Sequence, residues 1–417
     1  MTRAMKYSGI EWIGEIPANW DFDKGKYHFT NNKYVVGIKS ANYDRLALTM
    51  NGVIHRNKED NEGLQPSDFN TYQLLKKNEL VFKLIDLQNV STSRIGLAHD
   101  TGIVSPAYVI LHANNDINPS FAEKFFLMMW YREIFNALGD AGVRSNLNAG
   151  DLLNVRIPVP PIDEQKKIAD YLDKRCGEID ASTAEIQEQI TTLEEYKKSI
   201  ISEAVTKGLD NRDNLVKSRV FYMSPYNENW KLSKIGYECT KLNRAFSTDD
   251  IPLLCTNKGE VSNRPEKMTG KMVSEDNAVQ GIHEGDIAIH GMDTWHGAIA
   301  ISPYKGKITR VVHVCDSKQD NRFVVYYLKH LAYQRVYKLI SNGIRENTSD
   351  FRSWEKVKDI YITFPNIEEQ KRICDYLDVK KSAINDIITD KQKQIETLEK
   401  YKKTLIYEYV TGKKEVA

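Results

Sequence analysis

The sequence predicts an α+β protein built twice. Two compact domains of mixed strand and helix are each followed by a long helix, and the two helices pair as an antiparallel coiled coil in a pseudo-two-fold tandem repeat. Three observations predict this. A 54-residue segment recurs at an offset of 205 residues, each copy reads as one long helix, and the residues before each copy carry the same order of strand, turn and helix signals. A chain of 417 residues also exceeds one ordinary core. The expected domains are residues 1–156 and 211–361, with the helical segments at 157–210 and 362–417.

The repeat is the strongest signal. Residues 157–210 and 362–415 align without a gap, and 25 of 54 positions are identical. Prolines precede each helix (Pro160 and Pro161, then Pro365), and Asp163 or Glu368 opens the first turn, where a carboxylate faces the positive end of the helix dipole. In the first copy Leu172, Ile179, Ile186, Leu193 and Ile200 fall seven apart, with Cys176, Thr183, Ile190, Lys197 and Ala204 as the alternate seam. The second copy offers Leu377, Ile384, Leu398 and Leu405, with Ile395 beside them and Lys391 breaking the series. Some 43 helical residues rising 1.5 Å each make a rod of roughly 65 Å. A stripe that long needs cover. Each helix can lie on its own domain, or the two can lie on each other, and a duplicated helix is its own natural partner.

The domains before the helices are only faintly alike, but in register. Trp20, Lys24 and Tyr27 match Trp230, Lys234 and Tyr237. Turns at Asn78 and Gly285 run into apolar strands, and β-branched runs at 102–111 and 306–315 read as further strands. Helical stretches follow at 120–138 and 321–341.

Next come Gly142-Val143-Arg144 and Gly343-Ile344-Arg345, short glycine loops that carry an arginine into polar sequence. Arg144, Ser145, Asn146 and Asn148 form one cluster, with Arg345, Glu346, Asn347, Thr348 and Ser349 as its counterpart. A second polar loop holds Gln88, Asn89, Ser91, Thr92 and Arg94, and matches His290, Asp293, Thr294, Trp295 and His296 in position. Such side chains suit base-pair edges. Arginine donates two bonds to guanine O6/N7 and asparagine pairs with adenine N6/N7, each discriminating by roughly 1–3 kcal/mol. The candidate DNA contacts are therefore Gln88, Asn89, Thr92, Arg94, Arg144, Asn146 and Asn148 in the first domain, and His290, Trp295, His296, Arg345, Asn347 and Thr348 in the second. The plain alternative is that these residues satisfy turns in water, and phosphate contact suits any one of them equally.

Charge alone argues for no partner. Lys plus Arg number 58 against 57 Asp plus Glu. Residues 1–156 carry 17 of each sign, and residues 215–360 carry 22 basic against 17 acidic. Any phosphate-binding surface is a local patch. No stretch nears the roughly 18 apolar residues of a membrane span, and residues 1–10 show no secretory h-region. Five scattered cysteines fit a reduced, cytoplasmic protein. There is no GxxxxGK[ST] loop and no GxGxxG after a strand. Ser105-Pro106-Ala107-Tyr108 is superficially like an amino-methyltransferase element but lacks a cofactor loop. His283, His290, His296, His313, Cys255 and Cys315 match no zinc spacing. The expectation is a chain with no metal, no cofactor and no catalytic residues.

The order of parts resembles the specificity subunits of Type I restriction-modification systems. The resemblance rests on Ile157-Pro-Val-Pro-Pro-Ile-Asp-Glu-Gln165 with Ile168, Tyr171 and Leu172. It rests equally on Phe364-Pro-Asn-Ile-Glu-Glu-Gln370 with Ile373, Tyr376 and Leu377. The opening from Tyr7 to Trp20 and the Leu-Glu-x-Tyr-Lys-Lys cores at Leu193 and Leu398 agree, so the likeness spans nearly the whole chain. Asn366 departs from the pattern, standing where the first copy has Pro161. The resemblance implies two target-recognition domains, each reading one half of a split asymmetric DNA site. It implies helices that set the spacing and dock two modification subunits, and two motor-nuclease subunits in the full complex. S-adenosylmethionine, ATP and Mg are then expected in the partner subunits and none in this chain. Two other classes compete: a self-contained methylase or nuclease, and a coiled-coil scaffold that binds proteins.

Overall fold

A computed structural model describes residues 3–31, 33–60, 68–87, 93–138, 146–210, 214–264, 279–341 and 350–416. Its helices are α1 (Pro119–Tyr131), α2 (Ile134–Leu138), α3 (Ala149–Asn154), α4 (Ile162–Lys207), α5 (Ile235–Glu238), α6 (Asn321–Tyr333), α7 (Val336–Ile340), α8 (Trp354–Lys358) and α9 (Ile367–Val410). The chain divides into two compact units. The first is Met1–Ile186 with Lys393–Ala417, and the second is Gln187–Gln392, so α4 and α9 each contribute to both.

In the first unit, one four-stranded sheet runs Phe29–Thr30, Val109–Ala113, Leu80–Phe82, Ile95–Leu97. A second runs Gly52–Arg56, Arg45–Thr49, Gly102–Val104, Gln73–Leu75. The strand Arg156–Val159, just before α4, pairs antiparallel with Asp21–Lys24. The second unit repeats this plan. Its four-stranded sheet runs Cys239–Lys241, Val312–Ser317, Ile287–His290, Ile299–Ile301, and Tyr361–Phe364 pairs with Lys231–Lys234 before α9. Where the first unit has its other sheet, the second has two separate pairs, Leu253–Cys255 with Val261–Asn263 and Val279–Ile282 with Gly306–Thr309.

Two expectations need correction, and both fail at the same place in each unit. The β-branched runs are each two strands rather than one. The first is broken at a turn in which the Tyr108 N–H donates to the Ser105 carbonyl (3.1 Å), since Pro106 has no N–H for a ladder. The second run breaks between Thr309 and Val312. The helical stretches are likewise interrupted, α1 from α2 at Glu133 (φ 57°) and α6 from α7 at Arg335 (φ 56°). Neither residue is glycine, so nothing in the sequence marks these left-handed breaks.

The long helices are covered in both expected ways. In the first unit Leu172, Cys176 and Ile179 of α4 share a core with Trp20, Phe121 and Phe126, and also with Leu405, Ile406, Tyr409 and Val410 of α9. Asp180 accepts from Lys402 (2.7 Å) and the rings of Tyr171 and Tyr409 lie 4.6 Å apart, so this pairing is antiparallel. In the second unit Ile201, Ala204 and Val205 of α4 and Leu377 of α9 join Trp230, Phe323 and Phe364. There Lys197 donates to Asn385 (3.0 Å) and Lys391 to Gln189, again antiparallel, and the Gln189 contact explains how the series tolerates Lys391. Ile190, Ile200 and Ile384 are buried, whereas Ile186, Leu193, Ile395 and Leu398 are half-buried.

The repeated Glu-Gln motif has a structural cause. Gln165 has no exposed surface. Its amide donates to the carbonyls of Asp116 (2.9 Å) and Pro160 (2.8 Å) and accepts from the N–H of Asn118 (2.8 Å), the N-cap of α1. Gln370 does the same for the second unit. It is fully buried, donates to the Pro365 carbonyl (2.8 Å) and Gln319 (2.8 Å), and accepts from the N–H of Asp320 (3.0 Å), the N-cap of α6. One side chain thus fastens the start of each long helix to the start of the domain's main helix. Gln165→Ala should leave one N–H and two carbonyls, the Pro160 carbonyl buried and the others partly so, without their bonds, and cost about 2 kcal/mol in urea unfolding. A loss below about 0.5 kcal/mol would show that water or neighbouring groups replace the amide.

Lys329 of α6 is buried where α1 has Leu127, and donates to the Gly259 carbonyl (2.9 Å). Burial, with Lys381 adding repulsion, depresses its pKa to about 8. The folded value lies below the unfolded one, so the cost is complete below pH ~8 and disappears as pH rises towards ~10.5. Lys329→Leu should therefore stabilise the second unit by roughly 2 kcal/mol at pH 7. In parallel melts the gap should close above pH ~8, and a gap independent of pH would place the effect in packing alone.

Candidate nucleic-acid interface

In each unit the two loops singled out by sequence leave from one junction. In the first, the Leu147 N–H donates to the Leu84 carbonyl (2.9 Å), and the Asp86 N–H donates to Asn146 Oδ1 (3.1 Å). This joins the start of the loop at 88–92 to the end of the loop at 139–145. In the second, the Phe351 N–H donates to the Gly291 carbonyl (2.9 Å), joining the end of Ile287–His290 to the residues after the loop at 342–349. The two bonds are similar: the acceptors Leu84 and Gly291 each stand two residues beyond matching strand positions, Phe82 and Ile289, and the donors stand one and two residues before the N-caps of α3 and α8. At Gly291 the approach is so close that a Cβ would meet the Phe351 carbonyl at 2.7 Å.

Side chains at the junctions do not repeat. Gln88, Asn89, Thr92 and Arg144, like Ser91 and Ser145, lie outside the described residues, as do Arg345, Asn347 and Thr348 with Glu346 and Ser349. Arg94 corrects the sequence reading. It is fully buried and its guanidinium donates to the carbonyls of Ile85 (3.2 Å) and Asp86. It braces from beneath the turn at Asp86, whose φ is +53°, and so does not face a base edge. Burial also holds its pKa below the usual arginine value. Asn148 is exposed, but its side-chain oxygen caps α3 by accepting from the Asp151 N–H (3.0 Å), while the Asp151 carboxylate accepts from the Asn148 N–H (2.9 Å). Asn146 alone of the first unit's described candidates is exposed at the junction itself.

In the second unit His290 is buried, and its Nδ1 lies 3.2 Å from the Asp293 N–H, which donates to it. Burial keeps its pKa below the ordinary histidine value, so this residue shapes the turn in its neutral form. Trp295 is half-buried against the second core, and its ring faces His296 edge-on at 4.7 Å and the ammonium of Lys338 at 5.2 Å. His296, Lys338 and Leu339 are exposed. This aromatic and cationic surface can stack on a base or sugar and neutralise a phosphate. Sequence reasoning missed Lys338, which sits 43 residues from Trp295 with no spacing signal to join them.

All five cysteines are buried, and burial pushes their thiols up, to about 11 at Cys239 and about 12 at Cys255, away from the reactive thiolate. Among the described residues no group of three or more His, Cys, Asp or Glu could hold a metal ion, and no helix is long and apolar enough to cross a membrane.

Residues 23–192 and 274–397 match the family described as Type I restriction modification DNA specificity domain. A similar protein is the putative type I restriction enzyme MjaX specificity subunit of Methanocaldococcus jannaschii, 26% identical over 443 residues, covering 96% of this chain and 95% of the relative. The MjaVIII specificity subunit of the same organism is 24% identical, covering 62% of each chain. In fold, the chain is similar to one solved in work on complex assembly and conformational transition of the type I R-M system. That likeness has a TM-score of 0.68 at 14% identity, covering 95% of this chain and 99% of the other. The repeated plan, the paired loops and a family match over well over half of the sequence lead to one conclusion: the chain belongs to the Type I restriction-modification specificity subunits, non-catalytic chains that confer DNA sequence specificity.

Proposed function

We propose that the first unit reads one half of a split, asymmetric duplex site and the second unit the other half, with α4 and α9 fixing the separation and docking two modification subunits. One observation carries this reading. Similar backbone bonds, Leu147 to Leu84 and Phe351 to Gly291, stand beside sequence stretches that differ between the units. A common mount with unlike tips is what an asymmetric two-part target requires, since base-edge contacts specify and backbone contacts only position.

Docking through the long helices is supported by residues that repeat without a core role. Thr192, Glu194 and Tyr196 of α4 and Thr397, Glu399 and Tyr401 of α9 are identical at the 205-residue offset, yet all six are exposed. Two like surfaces suit two copies of one partner. On this reading S-adenosylmethionine binds the modification subunits, ATP and Mg bind two restriction subunits of the full complex, and the assembly works in the cytoplasm. The test is methyl-adenine mapping in cells that hold the cognate methyltransferase, with and without this chain. The expected outcome is one split asymmetric motif that depends on the chain. An active methyltransferase whose pattern ignores the chain would favour a protein-binding scaffold instead.

A further inference from the structure

The first unit presents an apolar tip at a place where the matching stretch of the second has none. Ile38 is 90% exposed, more than any other large apolar side chain among the described residues, and Tyr34 and Val35 beside it are 53% and 49% exposed. The tip is built on a fixed mount. Val36 is buried against Tyr72 and Ile103. The N–H of Val36 donates to the Tyr72 carbonyl (3.0 Å), that of Gly37 to Asn70 (3.2 Å), and that of Leu74 to Tyr34 (2.9 Å). Gly37 takes a left-handed φ of 58°, which turns the chain so that residue 38 points away from the buried Val36. A short 3-10 helix, Gly37–Asn42, then holds the backbone, and Lys58 ties its Ser40 carbonyl at 2.9 Å.

An isoleucine held in water on an ordered mount gains nothing for the fold, because its apolar surface stays hydrated. Charge indicates the occupant. From Asn31 to Tyr43 the sequence carries Lys33 and Lys39 and no acidic residue, within a domain of 17 basic and 17 acidic residues. Both lysines are exposed. An apolar tip between cations suits duplex DNA, where aliphatic groups meet thymine methyls or unstacked base steps and lysines meet the flanking phosphates. The matching stretch of the second unit differs. From Lys241 to Asp250 no large apolar side chain stands exposed, and Arg244 is committed to Asp286 at 2.8 Å.

We infer that Ile38 is a base-edge contact for the half-site read by the first unit, with Lys33 and Lys39 placed on the flanking phosphates. This rests on the DNA-reading role proposed above and adds a contact outside the paired loops. The test uses the full chain assembled with its modification subunits and a duplex carrying the mapped motif. Ile38→Ser should leave the melting temperature unchanged, weaken specific binding at least about tenfold and relax the motif only in the first unit's half. Ile38→Leu should keep both affinity and motif. Lys33→Gln with Lys39→Gln should lower the salt slope by about two while the motif stands. If the parent complex directs a motif and Ile38→Ser leaves affinity and motif unchanged, the inference is wrong although the broader role stands. If Ile38→Ser instead releases a modification subunit with the motif intact, the tip is a protein contact and the inference is again overturned. A parent complex that directs no motif fails at the broader role itself.

Discussion

The first turn of each long helix carries a glutamine with no surface of its own, and the rest of the molecule depends on where that amide sends its bonds. Gln165 and Gln370 each join three points: the proline before the long helix, the helix itself, and the N-cap of the domain's main helix. A buried amide in this position is costly unless every bond is made, so it tolerates one arrangement of helix against domain. The consequence is local and exact in register. Arg156–Val159 and Tyr361–Phe364 must lie against Asp21–Lys24 and Lys231–Lys234, and one four-stranded sheet follows in the same order in both units.

That constraint separates the residues into two kinds. Those that repeat hold the mount together or stand exposed on the long helices. Lys403 over the Tyr131 ring in the first unit (5.4 Å) and Lys198 over Tyr333 in the second (6.0 Å) are a further repeated tie. Those that differ include the residues at the loop junctions and at the Ile38 tip. A recognition chain for an asymmetric target needs this division, because changing a reader must not disturb the mount. The duplicated fold lets either unit diverge at its tips while the glutamine, the paired strand and the helix seam stay in place.

The repeat and both long helices were legible in the sequence, because identity in register and a heptad pattern, broken in the second copy only at Lys391, are properties of residue order alone. The domain interiors were less so. Glu133 and Arg335 break their helices in a left-handed conformation that only tertiary packing can impose on such residues. The β-branched runs concealed turns, one of them at Pro106. At the candidate interface, polar neighbours made Arg94 read as a surface residue, while the carbonyls of Ile85 and Asp86 draw it wholly inside. His290 is withdrawn in the same way by the Asp293 turn. Ile38 was hidden for the opposite reason. In Tyr34-Val35-Val36-Gly37-Ile38 the pattern suggests burial, and only Val36 is buried.

On the proposed reading, specificity resides in the units that differ and not in the helices they share. The most direct measurement is the methylation motif of a chain in which residues 211–361 replace residues 1–156 ahead of the unchanged α4, so that both units are the same. The expected result is a split motif whose two halves are identical and match one half of the parent's. A folded, partner-bound chimaera that still directs the parent's asymmetric motif would contradict it.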